Sequence, residues 1–298
     1  MNRQCCIFLA TFLLVGCSSV PTENRPHDPV DKVAVVTPKA PKVALVLGGG
    51  AARGFAHIGV IQALEESGIP IDMVVGTSAG SVVAALHASG KSGTELQRIA
   101  LSMEEASFSD WRLPLFTPGV IKGEALARFI RAQVDAKQIQ DLPIRLGIVA
   151  TDLQSGQGIL FQRGDVAMAV RASSAIPAVF QPVSISGHEY VDGGLVAPVP
   201  VSYARQMGAE VIIAVDISAA PQANASQDSF QILMKTFAIM GSSINRFELR
   251  DADVVVKPSL QGLSSTSFSS RKEAITAGYQ SMLSMLGKLR NAIQTKRR

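Results

Sequence analysis

Residues 43–80 constrain this chain more than any other stretch. They read V-A-L-V-L, then G-G-G-A-A-R-G, then a helical run, then M-V-V-G-T-S-A-G. The apolar run 43–47 has the length and content of a buried strand. Gly48, Gly49 and Gly50 break it, and 55–66 has helical periodicity. A second short strand, 73–75, runs into Gly76-Thr77-Ser78-Ala79-Gly80. Two strands joined by a helix lie parallel in one sheet, so both loops open at the same sheet edge. The first loop offers unobstructed backbone N–H groups. The second offers a serine in a tight strand-to-helix turn. Anion donors facing a hydroxyl nucleophile are the two halves of an acyl-transfer site.

The rest of the chain repeats the alternation. Helices are expected over 81–89, closed by Gly90, and over 94–103, 122–134, 165–174, 201–207, 229–249 and 273–292. Strands are expected over 145–150, 158–161, 190–191, 211–215 and 254–256. Strands alternating with helices predict a three-layer α/β/α sandwich with a mostly parallel central sheet. With 298 residues and 47% hydrophobic content, the chain can fill one large core. Between the helices, 107–120 mixes Trp111, Leu113, Leu115 and Phe116 with Pro114, Pro118 and Gly119. This apolar loop reads equally well as a lid over a lipid site or as a loop packed permanently on the core.

The N-terminus divides into two parts. Residues 1–16 carry Arg3 and a short apolar run, the pattern of a bacterial signal peptide, too short to span a membrane comfortably. Leu14-Val15-Gly16-Cys17 resembles the lipobox of bacterial lipoproteins. That resemblance implies a lipidated Cys17 and a protein held in the bacterial cell envelope, with the outer membrane favoured because Ser18 follows the cysteine. Residues 17–41, rich in proline and polar residues, read as a tether, and 42–298 as the folded domain. All three cysteines, Cys5, Cys6 and Cys17, precede residue 18, so the domain has no disulfide framework. The net charge of +4 fits weak attraction to anionic headgroups and selects no partner. Nucleic acid is not an expected partner. The basic end, Lys288, Arg290 and Lys296-Arg297-Arg298, reads as a solvated helix end.

Ser78 is the chemical centre. In G-x-S-x-G the glycines Gly76 and Gly80 let strand and helix approach closely around a strained serine. A Ser–acid–His triad in the usual order finds no support, because the histidines are His27, His57, His87 and His188 and none follows Asp192. His188 is left with an earlier acid, Asp152 or Asp165. His57 and His87 read as core or surface histidines. A dinucleotide fold fits poorly, since glycines at 48, 50 and 54 do not give G-x-G-x-x-G and the second strand ends without the ribose-binding acid. That leaves a serine with an acid and no histidine; the acid chosen is Asp192 in D-G-G, where Gly193 and Gly194 allow a tight loop, the alternative for a D-G pair being an ordinary β-turn. No His, Cys and acid cluster at metal-ligand spacing is visible, and neither a cofactor nor calcium dependence is expected.

These three motifs, in this order, resemble the patatin-like phospholipases, serine lipid acyl hydrolases with a Ser–Asp dyad. The likeness covers about residues 43–216 and includes A-R-G-F-A-H-I-G-V over 52–60. It implies Ser78 as nucleophile, Asp192 as general base, and backbone N–H groups of Gly49, Gly50 and Ala51 as oxyanion donors. Arg53 and Gly54 complete the loop motif, with Arg53 as a brace. The substrate implied is an acyl ester of membrane lipid. Ala51 departs from the common form, which has glycine; donors there survive if the backbone needs no positive φ. Two other readings stay open: a catalytically idle lipoprotein of this fold that binds lipid or protein, and a Ser–Asp–His esterase using His188.

Overall fold

The computed structural model describes residues 39–103, 122–218, 229–263 and 268–297. The expected signal peptide, Cys17, most of the tether and the 107–120 loop lie outside these residues. Pro38–Arg298 forms one compact unit.

Among the described residues, eight strands form one sheet: β1 Val43–Leu47, β2 Met73–Thr77, β3 Arg145–Asp152, β4 Gly158–Phe161, β5 Val183–Ile185, β6 His188–Asp192, β7 Val211–Val215 and β8 Val254–Val256. The spatial order is β5-β6-β3-β2-β1-β7-β8, with β4 paired to β3. The four pairings β1–β2, β1–β7, β2–β3 and β7–β8 are parallel. β4 and β6 meet β3 antiparallel, and β5 meets β6 antiparallel. The sheet is therefore mixed, with a parallel centre as expected. Strand β5 is the addition; its V-S-I is too short to carry a period.

Helices are α1 Ala56–Glu66, α2 Ala79–Ala88, α3 Gly93–Ser102, α4 Glu124–Gln133, α5 Val166–Ser173, α6 Val201–Gln206, α7 Ser229–Glu248 and α8 Arg271–Thr295. Their ends follow local chemistry. Ser92 and Glu95 form a reciprocal capping box on α3, and the Asp165 side chain accepts the Met168 N–H at the start of α5, each satisfying orphan donors. Gly90 leaves α2 at φ 100°, a conformation glycine adopts without a Cβ clash.

The central strands are buried on both faces, and alternate side chains enter different cores. Val43, Leu45 and Leu47 of β1 join a large cluster with Ile61, Leu64, Ile213 and Ile275, under α1, α2 and α8. Ala44 and Val46 point the other way, into a smaller cluster with Ile212, Val199, Val201 and Ala204 of the 196–204 stretch. At ~25 cal/mol per Å² of apolar surface, burial of this kind on both faces of the four strands β1, β2, β3 and β7 is the main force closing the sheet. On the larger side α1 and α8 touch backbone to backbone. A Cβ on Gly59 would lie 1.9 Å from the Ile275 carbonyl oxygen, and one on Gly278 1.9 Å from that of Ala56.

Candidate active site

The glycine loop leaves β1 with its amides divided between two uses. The Gly48 N–H donates to the Val215 carbonyl at 3.1 Å, and the Gly49 N–H to that of Pro198 at 2.9 Å. Gly49, expected among the oxyanion donors, is therefore committed to the fold. Its backbone still lies against the serine, since a Cβ there would sit 3.2 Å from Ser78 Cβ. Gly50 and Ala51 begin a 3-10 turn over Ala51–Phe55, where a helical turn leaves its first N–H groups unpaired. Among the described residues neither has a backbone partner for its N–H. Ala51 stands at φ 50°. The backbone does adopt positive φ, against the expectation for alanine and at a cost of about 1–2 kcal/mol for a residue with a Cβ. The Ala51 N–H is left without a backbone partner among the described residues all the same, so the strain does not remove the donor.

Ser78 occupies the one residue between β2 and α2, at φ 52° and ψ −124°. Such a conformation stores about 1–3 kcal/mol and persists only where the surroundings over-determine it. They do so here. The Ser78 N–H donates to Ser173 Oγ at 2.9 Å, and that hydroxyl donates to the Val149 carbonyl at 2.6 Å. The Ser78 carbonyl accepts the Ser81 N–H at 2.8 Å and the Ser81 hydroxyl at 2.7 Å. Behind the turn there is no room for side chains. A Cβ on Gly76 would meet the Gly80 carbonyl oxygen at 2.5 Å, and one on Gly80 the Leu47 carbonyl oxygen at 2.0 Å.

Strand β3 brings the acid to the serine. Val149 pairs with Thr77, and the next residue, Ala150, pairs with Asp192. Gly193 then presses on both strands, since a Cβ there would lie 2.2 Å from the Val149 carbonyl oxygen and 3.1 Å from Thr77 Cγ2. The Asp192 backbone is pinned at both ends, its N–H donating to the Ala175 carbonyl at 2.9 Å and its carbonyl accepting the Thr151 hydroxyl at 2.8 Å. Oδ1 accepts the Gly194 N–H at 2.7 Å. Oδ2 is buried and makes no full hydrogen bond. Burial pushes the carboxyl up to about 6, and the neighbouring Ser78 hydroxyl and the Gly194 N–H pull the other way. The Ser78 side chain is thus near enough to the Asp192 carboxyl to lower its pKa, while Oδ2 itself holds no hydrogen bond. Catalytic hydrogen bonds in unliganded enzymes are often long in this manner.

A second set of residues holds the glycine loop from behind. His57, fully buried in the first turn of α1, sits with Nε2 2.8 Å from the Gly48 carbonyl. Burial pushes its pKa down to about 4, with the Gly48 carbonyl and Asp216 opposing. It is thus neutral at ordinary pH, with Nε2–H the donor and Nδ1 buried without a partner. Arg53 donates its backbone N–H to the Gly50 carbonyl at 3.2 Å and Nε to the same oxygen at 3.4 Å. Burial lowers the pKa of its guanidinium, and Asp216 opposes this. Asp216, just past β7, accepts from Ser218 and lies 3.5 Å from Lys257 Nζ. Neither His57, Ser173 nor Asp216 was singled out by sequence reasoning for this role. Position 57 offered one signal: a polar residue on the apolar face of the helix that follows the loop.

His188 stands at the opposite end of β6 from Asp192. Its Nδ1 is 2.9 Å from Asp152 Oδ2, on an imidazole that is 54% exposed. The Asp152 carboxylate also accepts the Gln154 and Ser155 N–H groups. The pair belongs to a turn, away from Ser78. His87 is buried at the end of α2, with Nδ1 3.0 Å from the Lys91 carbonyl.

One pocket opens beside the loop. It measures about 520 Å³ counted out to its mouth and is bordered by Ala51, Ala79, Ile58, Val83, Leu96 and Phe268, among others. Among the described residues every lining side chain is apolar, and Ala79 directly follows the serine. Such a space accepts an unbranched hydrocarbon group and offers a polar head no partner.

A mixed sheet flanked by helices, with a strained serine turn set against a buried Asp-Gly-Gly turn, defines an α/β protein organised around a serine. A family model described as patatin-like phospholipase matches residues 45–205, more than half of the chain, and the protein belongs to that family. An uncharacterized NTE family protein of Mycobacterium bovis is 39% identical over 186 residues, which make up 60% of this chain and 50% of the relative. The human patatin-like phospholipase domain-containing protein 6 is 35% identical over 192 residues, 62% of this chain and 14% of that protein. The chain thus spans half or less of the length of these relatives. Among solved structures, VipD from Legionella pneumophila superimposes with a TM-score of 0.55 at 15% identity, covering 85% of this chain and 68% of its own. ExoU in its complex with SpcU from Pseudomonas aeruginosa gives 0.50 at 21% identity, covering 86% and 53%. Both share the fold.

Proposed function

We propose that this protein is a serine lipid acyl hydrolase, a carboxylic ester hydrolase working through a Ser78–Asp192 dyad. One observation carries the reading: a strained Ser78 lies near enough to the buried Asp192 carboxyl to shift its pKa, and the next residue, Ala79, lines an apolar pocket. Asp192 Oδ2 takes the hydroxyl proton as Ser78 Oγ attacks the ester carbonyl carbon. The tetrahedral oxyanion is received by the N–H groups of Gly50 and Ala51; a donor of this kind contributes about 3–4 kcal/mol in a comparable hydrolase. Collapse breaks the ester C–O bond, and the leaving alcohol takes the proton from Asp192. Water, deprotonated by Asp192, then attacks the acyl-serine carbonyl; the C–Oγ bond breaks, the fatty acid leaves, and Asp192 returns the proton to Ser78 Oγ. A carboxyl held near 6 is a far better base at neutral pH than an ordinary aspartate.

The apolar pocket supports a fatty acyl chain as the group cleaved. A relative in Aspergillus fumigatus bears the name lysophospholipase nte1, so lysophospholipids are the first lipids to offer. The test is a panel of p-nitrophenyl esters and lysophospholipids against residues 38–298 and its Ser78→Ala variant. Turnover that favours longer chains and disappears in the variant supports the reading. Equal turnover by the variant refutes it, and no turnover by a folded wild type refutes it in favour of an idle binder. We also propose that Cys17 carries lipid and holds the protein in a bacterial envelope, as the L-V-G-C sequence suggests. Incorporation of labelled palmitate into wild type but not Cys17→Ser tests this.

A further inference from the structure

Helix α7 leaves an apolar stripe uncovered on its outer face. At about 100° per residue, Gly241, Asn245 and Glu248 share one face, and that face is the attached one. Gly241 is buried against Pro198, where an added Cβ would meet Cγ at 3.3 Å. Asn245 Oδ1 accepts the Val199 N–H at 3.1 Å. Glu248 accepts the Ser202 N–H and hydroxyl, each at 2.9 Å. The helix is thus moored by polar groups. Met234 and Phe237 share that face and are partly buried, but four large apolar side chains point away: Ile232 is 55% exposed, Ile239 49%, Met240 46% and Phe247 66%. These four fall within about 100° of one another on the outer face. From residue 232 to the end of the helix only Gly241 and Asn245 are buried.

Ordinary surface helices bury such a stripe, and large contiguous apolar patches mark interaction sites. The charges around this one select the partner. The exposed Arg246 lies at one edge of the stripe, and Arg250, just past the helix, lies over the Phe247 ring at 5.0 Å. The one acid within the helix, Glu248, is turned inward to Ser202. An apolar strip with cations at its edge fits a surface that is apolar below and anionic at the boundary, which describes an anionic phospholipid bilayer. No described helix is long and apolar enough to cross a membrane, so the geometry is that of a helix lying in the interface. The helix also packs on the Gly193–Leu195 turn beside Asp192.

We propose that the outer face of α7 is an interfacial docking surface for anionic phospholipid membranes, seating the domain on the bilayer from which its substrate comes. This deepens the reading of the site as a lipid hydrolase and can be tested apart from it. Pro38–Arg298 contains the whole sheet and its cores, so residues 38–298, which lack Cys17, are the form to use. Co-sedimentation with vesicles of equal parts phosphatidylglycerol and phosphatidylcholine is compared for wild type, Ile239→Asp/Phe247→Asp and Arg246→Gln/Arg250→Gln. The apolar pair should lose more than ~10-fold in partitioning, and the cation pair ~5-fold for each charge removed. Turnover of a soluble short-chain ester should stay within about two-fold in every variant, as for surface changes generally. Ser78→Ala should bind vesicles like wild type, so a failure of the catalytic reading leaves this result standing. Wild-type partitioning by the apolar pair, or no binding by the wild type, overturns the proposal. So does a concentration-dependent dimer that the apolar pair abolishes, since a second copy would then cover the face.

Discussion

Asp192→Asn should inactivate the enzyme and, at the same time, change the way its stability depends on pH. The wild type buries two groups with opposite linkage. The Asp192 carboxyl rises from 3.8 to about 6 on folding. The folded state then holds its proton more tightly than the unfolded chain, so stability falls as pH climbs from about 4 to about 6. A shift of about 2 units corresponds to about 3 kcal/mol. His57 falls from 6.5 to about 4. Here the unfolded chain binds the proton more tightly, so stability rises by about 3 kcal/mol over nearly the same window. The two slopes oppose and largely cancel. Asparagine keeps the acceptor for the Gly194 N–H and removes the ionisation, leaving His57 unopposed. Denaturant unfolding of wild type and variant, measured from pH 4 to pH 8, gives the difference at each pH, in which every other group drops out. That difference should move in favour of the variant by about 3 kcal/mol between pH 4 and pH 7 and then level off. A difference that stays constant across the range would refute the reasoning, because Asp192 would then have the same pKa folded and unfolded.

Four further outcomes follow from the same structure. Wild-type kcat/KM should rise with pH to a plateau, half-maximal at about pH 6, since the base must be ionised; a half-maximum near pH 4 in a pH–rate profile would contradict it. Ala51→Gly removes a Cβ from a residue at φ 50° and should leave activity intact while changing thermal stability by between zero and about +1 kcal/mol, the gain in αL being partly offset by unfolded-state entropy. His57→Leu leaves the buried Gly48 carbonyl without its donor and should cost about 1–3 kcal/mol in denaturant unfolding, with kcat falling more than KM as the loop amides shift. His188→Ala should hold kcat/KM within about two-fold, because the exposed imidazole serves the Asp152 turn.

The parts of this protein visible in its sequence are those where local chemistry and position coincide. Buried strands such as 43–47 and 211–215 are continuous apolar runs, and nothing but a double-sided sheet uses them so. The serine turn and the D-G-G turn announce themselves because glycine is needed where backbones touch. What could not be read depends on partners distant in sequence. The commitment of the Gly49 amide is set by Pro198, 149 residues later. The left-handed conformation of Ala51 is imposed by the closure of the loop, against the preference of alanine. His57 resembles any core histidine until the Gly48 carbonyl is seen within reach of its ring. The outward stripe of α7 has the periodicity of a core helix, and only the mooring of Gly241, Asn245 and Glu248 shows which face is free.

The central claim is that Ser78 is activated by Asp192. Residues 38–298, their Ser78→Ala variant and their Asp192→Asn variant would each be treated with a fluorophosphonate and mapped by peptide mass. The account predicts one adduct, on Ser78, in the wild type, none in Ser78→Ala, and labelling of Asp192→Asn slowed by several orders of magnitude in protein that remains folded. An adduct on another serine, or labelling of Asp192→Asn at the wild-type rate, would contradict it.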